Sequence, residues 1–247
     1  MIRQVFARLF LCVFLASIST NVAAQEKSAI KEAFVLQPGT ARILLFRPKI
    51  AVGSQSTAGM FEPNADWTTQ ARENLGAALA HAQQSLGNEV VVYGDQVGPK
   101  AEQLAEYQSL FSIVAQSVIE FKFFPGNRLP TKKRQGVFDW TLGPGVADLA
   151  ANTGCRYGLF IFTEDQFGST GRKIFQLFAA MGGVGIVSGQ HKGFAGLVDL
   201  STGELLWLNA DLAMGGDVRT PDGAEKRAIQ LLEGFPGRPA VAGTLQP

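Results

Sequence analysis

The sequence predicts one α/β (α+β) domain, a mixed β-sheet covered by helices, with a β-hairpin in the C-terminal half. Three observations lead there. Short apolar runs at 42–46, 89–93 and 157–163 alternate with longer stretches whose apolar residues recur at helical spacing. Two further runs, 194–200 and 205–212, flank Ser201-Thr202-Gly203-Glu204, where a glycine supplies the left-handed residue of a short turn. The chain beyond its first two dozen residues is long enough, and apolar enough, to bury a single core.

The first 24 residues have the pattern of a secretory leader. Arg3 and Arg8 precede an apolar stretch at 9–18, and Val22-Ala23-Ala24 supplies small residues before Gln25. That apolar run is shorter than the roughly 20 residues a bilayer span requires. The expectation is therefore a signal peptide at 1–24, cleaved after Ala24, and a mature protein in the periplasm. Cys12 sits inside the apolar core behind Leu11, not a small residue, so it is expected to leave with the leader. Cys155 then remains alone, and an internal disulfide is excluded even where the compartment would permit one. The chain carries 22 basic and 21 acidic residues. Removing a leader with two arginines and no acid leaves it close to neutral, which argues against nucleic acid as a partner.

Residues 25–40 read as a lead-in segment, 41–235 as the domain and 236–247 as a flexible tail. The first strand is expected at 42–46, ended by Pro48, and the Gly/Ser/Thr-rich stretch to Pro63 as a loop. Asp66 is expected to cap a helix carrying Ala71, Leu75, Ala78, Leu79, Ala82 and Leu86 on one face, closed by Gly87. A β-branched strand at 89–93 follows, then a helix with Leu104, Tyr107, Phe111, Val114, Val118 and Phe121 along one stripe. A long loop at 123–138 contains Lys132-Lys133-Arg134, read as a solvated tip. Gly143-Pro144 opens a short helix that Gly154 ends, and the nearly continuous apolar strand at 157–163 suits a place covered on both faces. Asp222 and Glu225 are spaced as a capping box before a last helix that buries Ala228, Leu231, Leu232 and Phe235.

The order of these elements resembles a known envelope module. Residues 151–160, with Gly154 and Tyr157, and the hairpin Val198-Asp199-Leu200-Ser201-Thr202-Gly203-Glu204-Leu205-Leu206-Trp207 are similar to the corresponding stretches of three proteins. These are the curli-secretion lipoprotein, the penicillin-binding-protein activator lipoprotein and the amino-terminal domain of the Tol-Pal translocation protein. The resemblance covers roughly residues 40–235 in element order and about a dozen in letters. It implies an envelope accessory or assembly protein that binds other proteins and catalyses nothing. The chain departs from the group in two ways: it lacks a lipidation cysteine at the mature start, and an apolar, glycine-laden insertion occupies 172–191.

Chemistry-bearing residues are sparse. The chain has two histidines, and neither lies in a nucleophile motif, since no Gly-x-Ser-x-Gly surrounds Ser188. His81, beside the apolar stripe of the first helix, reads as a boundary residue. Neither the cysteine nor the histidines have the spacing of a metal site, and the glycines at 182–185 lack the spacing of a dinucleotide loop. No catalytic residue, metal or cofactor is therefore assigned. The alternative reading is a periplasmic hydrolase or transferase using Glu164, Asp165 or His191, because Glu164 and Asp165 follow a central strand. The most unusual segment is 174–181, apolar nearly all the way round, which is either a buried connection or a face for a partner, a second copy or a membrane surface. Arg172, Phe175, Phe178 and Met181 are its candidate contact residues.

Overall fold

The computed structural model describes residues 27–37, 39–85, 87–127, 137–151, 153–186 and 189–237. One mixed sheet contains β1 (Ser28–Ile30), β2 (Arg42–Leu45), β3 (Lys49–Gln55), β4 (Phe61–Pro63), β5 (Glu89–Val92), β6 (Tyr157–Gly168), β7 (Gln190–Asp199) and β8 (Leu205–Asp211). Among the described residues the α-helices are α1 (Ala65–Ser85), α2 (Pro99–Val118), α3 (Thr170–Met181) and α4 (Pro221–Leu231). The sheet order is β1-β8-β7-β6-β2-β5. Strands β2, β5 and β6 run parallel, whereas β7, β8 and β1 are antiparallel additions. This is the mixed α/β domain that the sequence predicts.

Alternation along the strands sends side chains to two cores, one on each face. Ile43 and Leu45 of β2 join a cluster under α1 and α4, while the intervening Leu44 and the following Phe46 join another under α2. Phe111 of α2 stacks on Phe160 of β6 at 5.1 Å, and Phe194 of β7 stands 5.8 Å from the same Phe111 ring. Each such buried side chain contributes about 1.5–3 kcal/mol of transfer free energy. The stripe on α2 buries Phe111, Ala115 and Val118 and leaves Phe121 exposed in the π-helical turn Ile119–Phe123.

Several boundaries differ from expectation for local reasons. Residues 28–30, expected in a lead-in, pair with β8, and Leu36 is buried beside them in sequence. The stretch expected as a loop before Pro63 holds β3 and β4. After the break at Pro48, β3 takes over from β2 along the same side of β6, with Val52 opposite Asp165. The cap of α1 is Asn64, whose Oδ1 accepts from the Trp67 N–H at 2.9 Å, and Asp66 instead sits in the first turn. At α4 the cap is Thr220, accepting from Gly223 N–H at 3.2 Å, with Pro221 next and Asp222 in the first turn. Residues Pro144–Ala150 form a 3₁₀ helix.

The β7–β8 turn is a position where glycine is indispensable. Gly203 has φ +78°, and a Cβ there would lie 2.0 Å from the carbonyl oxygen of Gly143. Leu142 N–H donates to the Gly203 carbonyl at 2.8 Å, so the hairpin tip is clasped by the segment ahead of the 3₁₀ helix. No helix among the described residues is long and apolar enough to cross a membrane. The leader, Leu86, Lys132-Lys133-Arg134, Ser188 and the end of the tail lie outside the described residues.

Candidate functional site

Strand β6 runs beyond Thr163, through Glu164, Asp165 and Gln166, and that extension decides what the three candidate catalytic residues do. Asp165 lies opposite His191 and Glu164 opposite Lys192 in the β6–β7 register. Alternation puts the two pairs on opposite faces. Glu164 forms an ion pair with Lys192 at 3.1 Å and takes a hydrogen bond from Gln166 at 2.9 Å. Asp165 faces α4, where Arg227 meets it; both side chains are fully buried.

Arg227 grips the Asp165 carboxylate in two-pronged fashion, Nη1 to Oδ2 at 2.9 Å and Nη2 to Oδ1 at 2.7 Å. Its remaining donors reach the Gly215 and Gly216 carbonyls at 3.0 Å and Thr163 Oγ1 at 2.8 Å. His191 Nδ1 sits 2.7 Å from Asp165 Oδ1 and, facing an ionised carboxylate, is the donor. Burial pushes the Asp165 carboxyl up, but the hydrogen bonds from His191 and Arg227 and the Arg227 charge outweigh it and hold the group below the ordinary carboxylate range. The network continues through rings: His191 meets Phe167 edge-on at 4.9 Å, and Arg219 lies 3.7 Å from the Phe167 centroid and 4.5 Å from that of Trp67. A carboxylate so fully occupied is a structural tie between sheet and helix. Among the described residues no hydroxyl or thiol is hydrogen-bonded to His191.

The other candidates lie on α3, in the β6–β7 connection. Ser169 caps the helix, accepting from Arg172 N–H at 3.2 Å. The half-buried side consists of Arg172, Gln176 and Ala179, and Arg172 Nη1 donates to the Thr57 carbonyl at 3.3 Å. The outward side is apolar: Ile174 is 51% exposed, Phe175 47%, Leu177 62%, Phe178 65% and Met181 76%. No residue of α3 is buried. The helix thus shows its grease to solvent and rests on its more polar side, the reverse of an ordinary surface helix. Of the two readings of 174–181, a buried connection is excluded.

Sequence reasoning missed one partner of these residues and one exposed surface elsewhere. Arg227 carried no signal, since an arginine on the last helix looks solvated until the strand it faces is known. The second is an exposed stripe on α2, Glu102, Glu106, Leu110 and Ile113, hidden because the opposite stripe drew the helix assignment; Ile113 is 63% exposed.

No protein-family profile matches the sequence, and no curated protein matches it. Among solved structures, a point-substituted PelC dodecamer from Paraburkholderia phytofirmans is similar at 11% identity and TM-score 0.37, over 85% of this chain and 98% of that one. A second PelC dodecamer structure from the same organism gives 11% identity and TM-score 0.37, over 86% and 97%. A neuraminyllactose-binding hemagglutinin homolog from Helicobacter pylori gives 8% identity and TM-score 0.38, over 81% and 86%. Scores this low do not establish a shared fold, and the functional reading rests on the chain's own residues.

Proposed function

We propose that this chain is an exported, non-catalytic assembly module of the cell envelope, working by docking onto other proteins through α3, and that the first occupant of that face is a second copy of the chain. The observation that carries the reading is the outward apolar side of α3. Five large apolar side chains on one short helix make the kind of patch that marks an interaction surface. Charge selects the occupant. From residue 166 to 198 the chain has no acid and three bases, Arg172, Lys173 and Lys192, with Lys173 exposed at the start of α3. The α2 stripe offers the complement, two exposed acids followed by two exposed apolar residues. Apolar contact between these unlike surfaces is heterologous, which closes into a ring or runs on as a filament. Support for the envelope setting comes from the leader pattern at 1–24 and from the likeness of 198–207 to the hairpin of the envelope lipoprotein group.

The test is sedimentation of the mature chain across a concentration series, with floated anionic vesicles as a second arm. Self-association is expected, weakened by Phe175→Ser with Phe178→Ser and by Ile113→Glu, with circular dichroism unchanged. It is also expected to return when Lys173→Glu is mixed with Glu106→Lys. A monomer at every concentration, or flotation with vesicles in place of self-association, overturns the assignment of a second copy. Collapse of the circular dichroism in the Phe175/Phe178 variant overturns the interaction face itself.

A further inference from the structure

A crevice of about 470 Å³ lies at the carboxyl ends of β2 and β5 and is walled by α1. Strands β2 and β5 are parallel neighbours, and α1 and α2, which precede and follow β5, pack on opposite faces of the sheet. Open α/β sheets keep their ligand crevices outside the carboxyl ends of their strands, and the volume falls in the range of roughly 300–1,000 Å³ seen for small-molecule sites.

Two features of the wall go beyond shape. Gly76 stands in the interior of α1, where glycine is unfavourable relative to alanine. Its φ is not in the left-handed region, and a Cβ placed on it would meet nothing within 4 Å. Neither backbone conformation nor packing against a neighbour demands the glycine, and what its missing side chain leaves clear is the crevice it lines. One helical turn earlier, Arg72 lines the same crevice half-buried, and among the described residues it makes no hydrogen bond or ion pair. The other lining arginine, Arg47, is engaged with Asp95 at 2.5 Å and so neutralises the crevice's second acid beside the solvent-exposed Glu73. The rest of the lining is largely apolar, with Ala77, Ala80 and Val92 among it.

We propose that this crevice binds a small amphiphilic anion, its carboxylate or phosphate head on Arg72 and its apolar body in the space that Gly76 leaves open. The site is separate from the α3 face and does not depend on the assembly role.

The experiment is calorimetric titration of the mature chain with octanoate, octyl phosphate and octylammonium. One saturable site is expected for an anion, the tighter of the two naming the head group, with no binding of the cation. Arg72→Gln and Gly76→Leu are each expected to weaken it by at least about tenfold. Gly76→Ala is expected to raise the melting temperature by about 2–4 °C, as relief of a helix-interior glycine does. Absence of any saturable anion binding, equal binding of octylammonium, or unchanged affinity in both Arg72→Gln and Gly76→Leu overturns the proposal.

Discussion

At the scale of single residues, the Asp165–Arg227 pair is a fully buried ion pair, costly to break from either side. Two charges with no exposure survive in a core only when every donor and acceptor is matched, and here Arg227 reaches two backbone carbonyls and a hydroxyl besides the carboxylate. Arg227→Leu strands an ionised carboxylate with the His191 ring and the Thr163 hydroxyl as its remaining hydrogen-bond partners, and a loss of about 3–5 kcal/mol is expected in urea unfolding. Acid reaches the same pair from the other side. Because the folded carboxyl lies below its ordinary value, its contribution is complete above the unfolded aspartate value of about 3.9 and is lost as pH falls through the lower folded value. Stability measured from pH 5 downward is expected to fall more steeply in the native chain than in an Asp165→Asn variant. In the sequence, Asp165 and His191 were visible as chemistry without a purpose. Arg227 is 62 residues from Asp165, a separation no local pattern spans.

At the scale of elements, legibility followed how local the cause was. The β7–β8 hairpin was readable because its turn is written in adjacent letters, and Gly203→Ala is expected to cost about 1–3 kcal/mol, seen as a lower melting temperature, because backbone strain and the Gly143 clash act together. Strand β3 was not readable, since Gly53, Ser54 and Gln55 look like loop residues, and they are held extended by pairing with both β4 and β6. The polar end of β6 failed for the same reason: Glu164 to Gln166 are strand residues because β3 and β7 flank them on both sides. The caps at Asn64 and Thr220 were displaced by two residues from the expected acids, which serve the helix dipole from the first turn instead. For α3, periodicity could state that the helix is apolar but not which side the rest of the chain would cover, because that depends on where Thr57 and its loop come to lie.

For the whole molecule, the sequence carried the class and the single mixed sheet but not its order. Which strands run parallel was no more legible than the order, and the position of β1 at the far edge depended on a three-residue strand with no periodicity to show. Both faces of the sheet are covered, and the middle of the order belongs to β6 and β7. Helix α3 is the connection between those two strands, and the base of that connection is tied by Asp165 and His191 to a helix on the sheet's face. A pull on α3 is therefore carried into the central ladder rather than peeling away an edge. Both roots of the helix are set in the middle of the frame, where a load applied to it would be shared among strands on either side.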